Sequence, residues 1–141
     1  MKLFAKTEYA CVAMMELAMA ANRGEPLRIR DIATQQGIPA RFLVQILLQL
    51  KGAGLVVSTR GAAGGYQLAL PAEKITLWQV IQAVEGNDPV QSSTPHATPV
   101  NRVILNVWRE LNEKEAQLLS ALTIAKLVEK SQSEREEMYY I

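Results

Sequence analysis

Apolar residues recur at helical spacing in three segments before residue 52. The pattern predicts one helix over 7–21, capped by Thr7, and a short second helix over 29–36. A third helix is predicted over 39–51. Gly37 would end the helix before it, because glycine adopts the left-handed conformation at little cost. The predicted buried faces are Ala10, Met14, Leu17 and Ala21, then Ile29, Ile32 and Ala33, then Phe42, Leu43, Ile46, Leu47 and Leu50.

The period changes from helical to extended beyond residue 54. Segments 55–59 and 66–70 are predicted strands, the first because it is β-branched and the second because its apolar residues alternate. Between them lies RGAAGG, residues 60–65, whose glycines can adopt the positive φ that a tight or bulged turn requires. Three helices, the last two joined by a short glycine-containing turn and followed by a hairpin, predict a winged helix-turn-helix.

Two further helices, separated by a loop, are predicted beyond the hairpin. Residues 76–85 are amphipathic and begin at Thr76 or a residue near it, whereas 87–101 are rich in Pro, Ser and Thr and predict an irregular loop. From Arg102, apolar residues recur at helical spacing as far as Val128. The predicted fold class is therefore mainly α, with a small two-stranded antiparallel wing and a long C-terminal helix.

The length of this last helix predicts a homodimer. A helix over about 102–130 cannot lie along so small a domain over its whole length, so we expect it to pack against its counterpart in a two-fold dimer. An intramolecular core helix is the alternative. The predicted dimerisation residues are Val103, Val107, Leu111, Leu118, Leu122 and Ala125.

Charge is distributed unevenly, although the net charge of the 141 residues is only +1. Residues 1–70 contain eight Lys and Arg against four acids, a net charge of +4, whereas residues 71–141 contain seven against ten, a net charge of −3. The basic half is therefore expected to face an anion, and double-stranded DNA is the expected partner.

Cysteine usage and the apolar runs limit the possible chemistry. Cys11 is the only cysteine, which excludes an intramolecular disulfide and a cysteine-rich metal site. No acid pair, nucleophile–base set or metal-ligand spacing indicates an enzyme. The longest apolar run, 10–21, is interrupted by Glu16 and is too short to span a bilayer, and no secretory leader is recognisable. We therefore expect a cytoplasmic protein that does not bind a membrane.

The glycine-rich segment 60–65 has three interpretations. A nucleotide-binding loop would need a Walker or dinucleotide motif that leads into a helix, and here an extended segment follows. An ordinary hairpin without a ligand is the second interpretation. The third, which we favour, is a wing along DNA: its small residues allow the backbone to approach the sugar-phosphate chain, and Arg60 can enter a minor groove.

The third predicted helix would be the recognition helix, with its N-terminal end in the major groove. Arg41 could hydrogen-bond guanine, Gln45 could read adenine, and Val44 could contact a thymine methyl group. Basic residues at the ends of the helices suit phosphates, which set register and not sequence. The predicted DNA-binding residues are Arg28, Arg30, Pro39, Ala40, Arg41, Val44, Gln45, Lys51, Arg60, Gly61, Gly64, Gly65 and Tyr66, with Arg28, Arg30 and Lys51 as the phosphate contacts.

Four segments resemble the IscR/NsrR/CymR family of bacterial winged-helix regulators. They are MKLFAKTEYACVAMMELA at the N-terminus, IRDIATQQGIPARFLVQILLQL in the helix-turn-helix, GLVVSTRGAAGGYQLA in the wing and ITLWQVIQAVEG after it. The resemblance covers about residues 1–86 and continues loosely through the C-terminal helix, which in the family is the dimerisation helix. It implies that residues 1–86 form the DNA-binding domain, 87–101 a flexible loop and 102–141 the dimerisation helix and tail.

This chain departs from the best-known members of that family in one loop. Cluster-binding members hold an iron–sulfur cluster with three cysteines there, whereas NDPVQSSTPHATPVNR, residues 87–102, contains none. Glu8 matches the carboxylate ligand of some members, but with His96 alone it cannot hold a cluster. The resemblance therefore implies a member without a cluster or any other cofactor. Val44 replaces a base-discriminating glutamate of some members, so their operator preference is not transferred.

These observations predict a homodimeric, sequence-specific DNA-binding repressor that recognises a near-palindromic operator. The alternative is a winged-helix module that binds proteins and has no direct role on DNA. Trp78, Trp108 and His96 could line a pocket for a small effector, or the two tryptophans could simply pack in the core.

Overall fold

The structure, a computed structural model, describes residues 1–139. Over this range the chain is mainly helical with one two-stranded antiparallel sheet, which confirms the predicted fold class. A single 3-10 turn, Ala72–Lys74, follows the sheet. The other elements are α1 Ala5–Ala21, α2 Ile29–Gln36, α3 Ala40–Gly52, β1 Val56–Thr59, β2 Gly65–Leu68, α4 Leu77–Glu85, α5 Pro99–Ser120 and α6 Ile124–Tyr139.

Helix α1 lies at the centre of the fold, in contact with α3, α4, α6 and β2. Its small residues Ala10 and Ala13 are fully buried, which lets the neighbouring elements approach its backbone closely. Helix α3 turns its predicted aliphatic stripe toward the same core. The apolar side chains that are at most 3% exposed are Ala10, Ala13, Met14, Leu17, Ala20, Ile32, Leu43, Ile46, Leu47, Leu50, Leu55, Val56, Ile75, Val80 and Ile124.

Three predicted details of the helices are wrong. Helix α1 begins at Ala5, with Phe4 in the N-cap position, so Thr7 does not cap it. Thr7 is instead buried, and its hydroxyl has no hydrogen-bond partner among the described residues. Ala21 and Phe42 were predicted to be buried and are exposed, because Ala21 ends its helix and Phe42 lies at the edge of the α3 stripe.

A three-residue turn joins α2 to α3. Gly37 adopts the left-handed conformation, φ 66° and ψ 30°, and ends α2 as predicted. The Ile38 N–H donates to the Ala33 carbonyl oxygen at 3.1 Å, and the Ile38 side chain is buried. Pro39 is the N-cap residue of α3, and Ala40 is the first residue of the helix. The two helices and this turn form the helix-turn-helix that the sequence predicts.

The hairpin is joined to the body of the domain by a third extended segment. Strands β1 and β2 pair antiparallel, with Thr59 opposite Gly65 beside the turn. Leu27 pairs with Tyr66 on the other side of β2, through backbone hydrogen bonds of 2.9 and 2.7 Å. Both strands are shorter than predicted, but the wing is more firmly attached than a hairpin alone would be.

The predicted continuous helix over about 102–130 is wrong in its extent: a long helix, α5, is present, but it ends at Ser120, and α6 begins at Ile124. The Leu77 N–H donates to the Leu122 carbonyl oxygen at 2.8 Å, and the Ile124 N–H donates to the Ile75 carbonyl oxygen at 2.9 Å. These bonds hold the break against the start of α4. Helix α6 then packs against α1 and buries Val128, so the intramolecular alternative is right for α6.

Candidate nucleic-acid interface

A continuous stretch of the chain, residues 32–72, contains no Asp or Glu. It includes most of α2, all of α3 and the whole hairpin. Its cationic side chains are Arg41, Lys51 and Arg60, all exposed. A surface without carboxylates keeps the positive potential that a polyanion requires. The sequence already contained this signal, which the charge totals of the two halves obscure.

Helix α3 turns a row of side chains outward. Arg41, Val44 and Gln45 are exposed, as a recognition helix requires. Leu48, one turn after Val44, is 57% exposed and was missed in the sequence, where it lies within a run of buried aliphatic residues. Apolar side chains on this outer face are suited to the methyl groups of thymine.

Arg41 is held in place by an aromatic contact. Its guanidinium carbon lies 5.2 Å from the centroid of the Phe42 ring, a cation–π geometry. The Phe42 ring is in turn 6.2 Å from the ring of Tyr9, centroid to centroid. The exposure of Phe42 thus has a use, because the ring supports the guanidinium at the start of α3. Lys6 and Gln45 line a cavity of about 340 Å³ on the same side.

The tip of the hairpin presents Arg60 to solvent. Gly61 has a φ of 104°, a conformation that L side chains rarely adopt, and the Gly64 N–H closes the turn by donating to the Gly61 carbonyl oxygen at 3.0 Å. Within residues 1–139, Arg60 makes no side-chain hydrogen bond and no ion pair. Its guanidinium is therefore available to a ligand.

Two wing glycines are required by contacts within the protein. A Cβ on Gly64 would lie 2.2 Å from the Thr59 carbonyl oxygen, and a Cβ on Gly65 would lie 2.5 Å from the Leu27 carbonyl oxygen. Tyr66 is half-buried and packs against the core. The glycines that would let DNA approach the wing are therefore needed first for the wing to form.

Two of the predicted phosphate contacts bond to the wing. The Arg28 guanidinium donates to the carbonyl oxygen of Ala62 at the hairpin tip. The Lys51 ammonium group donates to the Ser58 hydroxyl on β1 at 2.7 Å. Arg30, by contrast, is exposed on α2. Arg28 and Lys51 therefore link helices to the hairpin, a role that spacing along the chain does not reveal.

Helix α5 carries a stripe of exposed apolar side chains. Val103, Val107 and Leu111 are 65%, 43% and 52% exposed, at the positions predicted for a dimer interface. Ile104 and Trp108, which were not predicted to lie in the interface, are 52% and 55% exposed. The remaining predicted dimerisation residues fall into two groups. Leu118 is exposed near the end of α5, whereas Leu122 and Ala125 lie beyond that helix and are half-buried.

The residues of the chain do not fit a thiolate-bound iron–sulfur cluster. Burial, and after it the charge of Glu85, raise the pKa of the Cys11 thiol to about 11, so this only cysteine is a poor thiolate donor. Glu8 is exposed on α1. Across residues 1–139, no three His, Cys, Asp or Glu side chains come together as a metal site.

The proposed aromatic effector pocket is not enclosed within one chain. Trp108 is exposed on α5, His96 is exposed in the preceding loop, and Trp78 is half-buried on α4.

In the part of the chain that the structure describes, no helix has both the length and the apolarity to cross a membrane.

Comparisons with known proteins agree with this geometry. The Rrf2 family model, described as an iron-dependent transcriptional regulator, matches residues 3–130. The HTH-type transcriptional regulator IscR of Aliivibrio salmonicida is 34% identical over 137 residues, which cover 91% of this chain and 77% of that protein. IscR of Yersinia pseudotuberculosis is 36% identical over 131 residues, covering 91% and 79%.

Solved structures resemble this one over nearly its whole length. CymR, the global cysteine regulator of B. subtilis, aligns with a TM-score of 0.77 and 28% identity, covering 92% of this chain and 98% of that one. T. potens IscR aligns with a TM-score of 0.74 and 28% identity, covering 93% and 88%.

Proposed function

The chain belongs to the Rrf2 family of transcriptional regulators, and from that premise we propose that it represses transcription as a homodimer bound to a near-palindromic operator. The single observation that supports operator binding most strongly is the surface formed by α3 and the hairpin, where residues 32–72 lack carboxylates and expose three cations. Double-stranded DNA of a defined sequence is the polyanion that a helix-turn-helix with a wing is shaped to bind.

In the proposed complex, the start of α3 enters the major groove. Arg41, supported by the Phe42 ring, donates to the O6 and N7 of a guanine, and Gln45 reads an adenine. Val44 and Leu48 contact thymine methyl groups, which favours thymine at neighbouring positions. Base readout therefore depends on one helix face.

The wing supplies the second contact in this proposal. Arg60, exposed at the hairpin tip, enters the adjacent minor groove, where a narrow groove strengthens attraction for a guanidinium. Arg30 and Lys51 contact phosphates, although Lys51 first has to leave, or share, its hydrogen bond to Ser58. Arg28 acts mainly by holding the tip of the wing at Ala62.

The exposed stripe on α5 supports the homodimer. Five apolar side chains that a single chain leaves in water are what a two-fold helix pair would cover. Pairing through α5 would carry two copies of α3 to two half-sites of one operator. Residues 1–86 then act as the DNA-binding unit and 102–141 as the dimerisation region, with α6 returning to α1. Residues 87–101 connect the two, and their last three residues already belong to α5.

We also propose that this regulator carries no iron–sulfur cluster. The support is the absence of cysteine from residues 87–102 and the raised pKa of the half-buried Cys11 thiol. Anaerobic purification should give a colourless protein without stoichiometric iron or sulfide. A brown protein with near-stoichiometric iron would refute this part of the proposal.

Operator binding is tested by genome-wide footprinting in the source organism, followed by titration of the recovered DNA with purified protein. We expect a near-palindrome bound by two chains, and derepression of the adjacent genes when the protein is deleted. A winged-helix module that only binds proteins is the remaining alternative, and it would give no footprint and no salt-dependent DNA binding.

A further inference from the structure

A cleft between α1 and α6, closed at one end by α2, contains a buried carboxylate. Glu16 is only 9% exposed, and one of its oxygens accepts a hydrogen bond of 2.6 Å from the side-chain amide of Gln36. Within residues 1–139, Glu16 makes no other hydrogen bond and no ion pair. Its second oxygen is not among the buried atoms that lack a partner, so it is open to the cleft and can accept from a cationic ligand.

The cleft has two adjoining lobes that share Glu16 and Arg135. The more apolar lobe, about 180 Å³, has Val12 and Met15 in its wall. The more polar lobe, about 340 Å³, adds Arg23. Arg135, exposed on α6, lies across the cleft from α1 and forms no ion pair within the described residues. One site therefore presents a carboxylate, the Arg135 guanidinium and an apolar wall, while the second guanidinium, that of Arg23, is paired with Glu25 at 3.9 Å.

We propose that this cleft binds a small zwitterion of the α-amino acid class, with an apolar side chain. Glu16 would receive the ammonium group, and Arg135 would receive the carboxylate in the bidentate geometry that guanidinium favours. The apolar lobe would hold the side chain. A simple amine would leave Arg135 without a partner, and a simple carboxylate would leave Glu16 uncompensated, so the zwitterion fits both charges.

The position of the cleft connects it to the recognition helix. Gln36, which bonds to Glu16, is the last residue of α2 and immediately precedes the Gly37 turn into α3. Arg135 lies on α6, which follows α5 along the chain. A ligand that joins Glu16 to Arg135 would therefore link the helix-turn-helix to the dimerisation region. Only this coupling rests on the proposed function, since binding itself requires no DNA.

Isothermal titration calorimetry of the full chain, without DNA, tests the binding. The probes are L-leucine, L-methionine and L-valine. Two half-analogues of leucine are added: 3-methylbutylamine, which lacks the carboxylate, and 4-methylpentanoate, which lacks the ammonium group. We expect at least one amino acid to bind with a Kd at or below about 1 mM, and each half-analogue to bind at least about tenfold more weakly than leucine. No binding by any of the three amino acids at that concentration would overturn the proposal.

Variants identify the site. Glu16→Gln and Arg135→Gln should each weaken amino acid binding at least about tenfold, one decade of Kd. The exposed residues Glu8 on α1 and Lys130 on α6 provide matched controls, Glu8→Gln and Lys130→Gln, which should bind normally. Melting curves establish that each variant is folded, and Arg135→Gln keeps the test valid if Glu16→Gln does not fold.

Two further outcomes are decisive. A double variant, Glu16→Gln with Arg135→Gln, is compared with the two single variants. If its loss of melting temperature differs from the sum of theirs and neither single variant affects ligand binding, the two residues form a structural pair in solution and the proposal is wrong. If an amino acid binds through Glu16 without changing operator affinity, the binding site stands and the coupling to α3 is wrong. Operator binding by the ligand-free protein would be unaffected by either outcome, so the proposed function is judged separately.

Discussion

The surface proposed to face DNA, formed by α3 and the hairpin, and the outer face of α5 are both exposed, but the chain supports them in different ways. On the first, Arg41 rests on Phe42, Arg28 bonds to the wing tip, and two wing glycines are fixed by backbone contacts. On the second, large apolar side chains point into water, and α4 is the main element that α5 packs against. The first surface is supported by contacts within one chain, whereas the second leaves apolar side chains in water that a second chain would cover in the proposed dimer.

This difference separates two kinds of surface chemistry. A surface prepared for a polyanion keeps its charges exposed, because solvated cations are stable until phosphates replace the surrounding counterions. A surface prepared for its own copy is apolar, because burial of that area is what drives association. Mutations on α5 should therefore affect assembly first and DNA affinity only as a consequence, whereas mutations on α3 or the wing should affect DNA affinity alone.

The largest effect is expected from Val107→Glu with Leu111→Glu. Four glutamates would face one another across the two-fold axis, so the chain should become monomeric while keeping its helical content. Operator affinity should fall by about 100-fold or more, because the two half-sites are no longer bound by one linked particle. Sedimentation, circular dichroism and operator titration measure the three quantities.

The matched control for this double variant is Asn106→Glu with Gln117→Glu on the same helix, which adds the same charge at two exposed polar residues about 80–100° around the helix axis from Val107. It should remain dimeric and bind normally. Leu122 is unsuitable for this test although it was predicted to lie in the interface, since its backbone bonds to Leu77 at the break before α6. If the double glutamate variant stays dimeric at micromolar concentration, α5 is not the interface.

Arg60→Ala should give the next largest effect. Removal of a guanidinium that enters a minor groove loses both phosphate attraction and shape readout, which predicts an affinity loss of about tenfold or more. The free energy of unfolding should change by no more than about 0.5 kcal/mol, because Arg60 makes no contact with the core. Arg102→Ala, an exposed arginine on α5, is the control. Unchanged affinity in folded Arg60→Ala protein would mean that the hairpin is only a turn.

The order of elements and most of the core could be predicted from sequence, because those features depend on local period and turn chemistry. The helix end at Gly37, the buried stripe of α3 and the hairpin each follow from residues that are close together in the sequence. The break between α5 and α6 could not be predicted. Leu122 and Ala125 continue the helical spacing, and the turn depends on backbone bonds to residues near 76, more than forty positions earlier.

The sequence identified the basic residues of the candidate site but not the partners that two of them have within the chain. Arg28 and Lys51 were correctly identified as basic residues near the helix ends, but their partners, Ala62 and Ser58, become neighbours only when the hairpin folds back. Phe42 was assigned to the core because it is apolar and adjacent to the stripe. Its position under Arg41 is a matter of side-chain direction, which the period alone does not determine.

Arg41→Ala should have an intermediate and selective effect. The loss of a bidentate contact to guanine costs about 1–3 kcal/mol at one base-pair position, so the variant should bind the wild-type operator and its substituted form with similar affinity. Phe42→Leu leaves Arg41 in place without its ring and should cause a smaller loss at the same position. Titration against operators substituted one position at a time measures both. Equal losses at every position would assign Arg41 to a phosphate.

The smallest effect is expected at Lys51, where the two kinds of contact compete. If its ammonium group binds a phosphate in the complex, Lys51→Ala should weaken binding evenly across sequences. The negative slope of log K against log salt should then become about one unit shallower. If it serves only to hold Ser58, the slope should not change. Ser58→Ala separates the two, because it removes the 2.7 Å hydrogen bond and keeps the charge. We expect Ser58→Ala to retain the wild-type slope while Lys51→Ala loses about one unit. If Lys51→Ala also keeps the wild-type slope, Lys51 supports the wing and does not contact DNA.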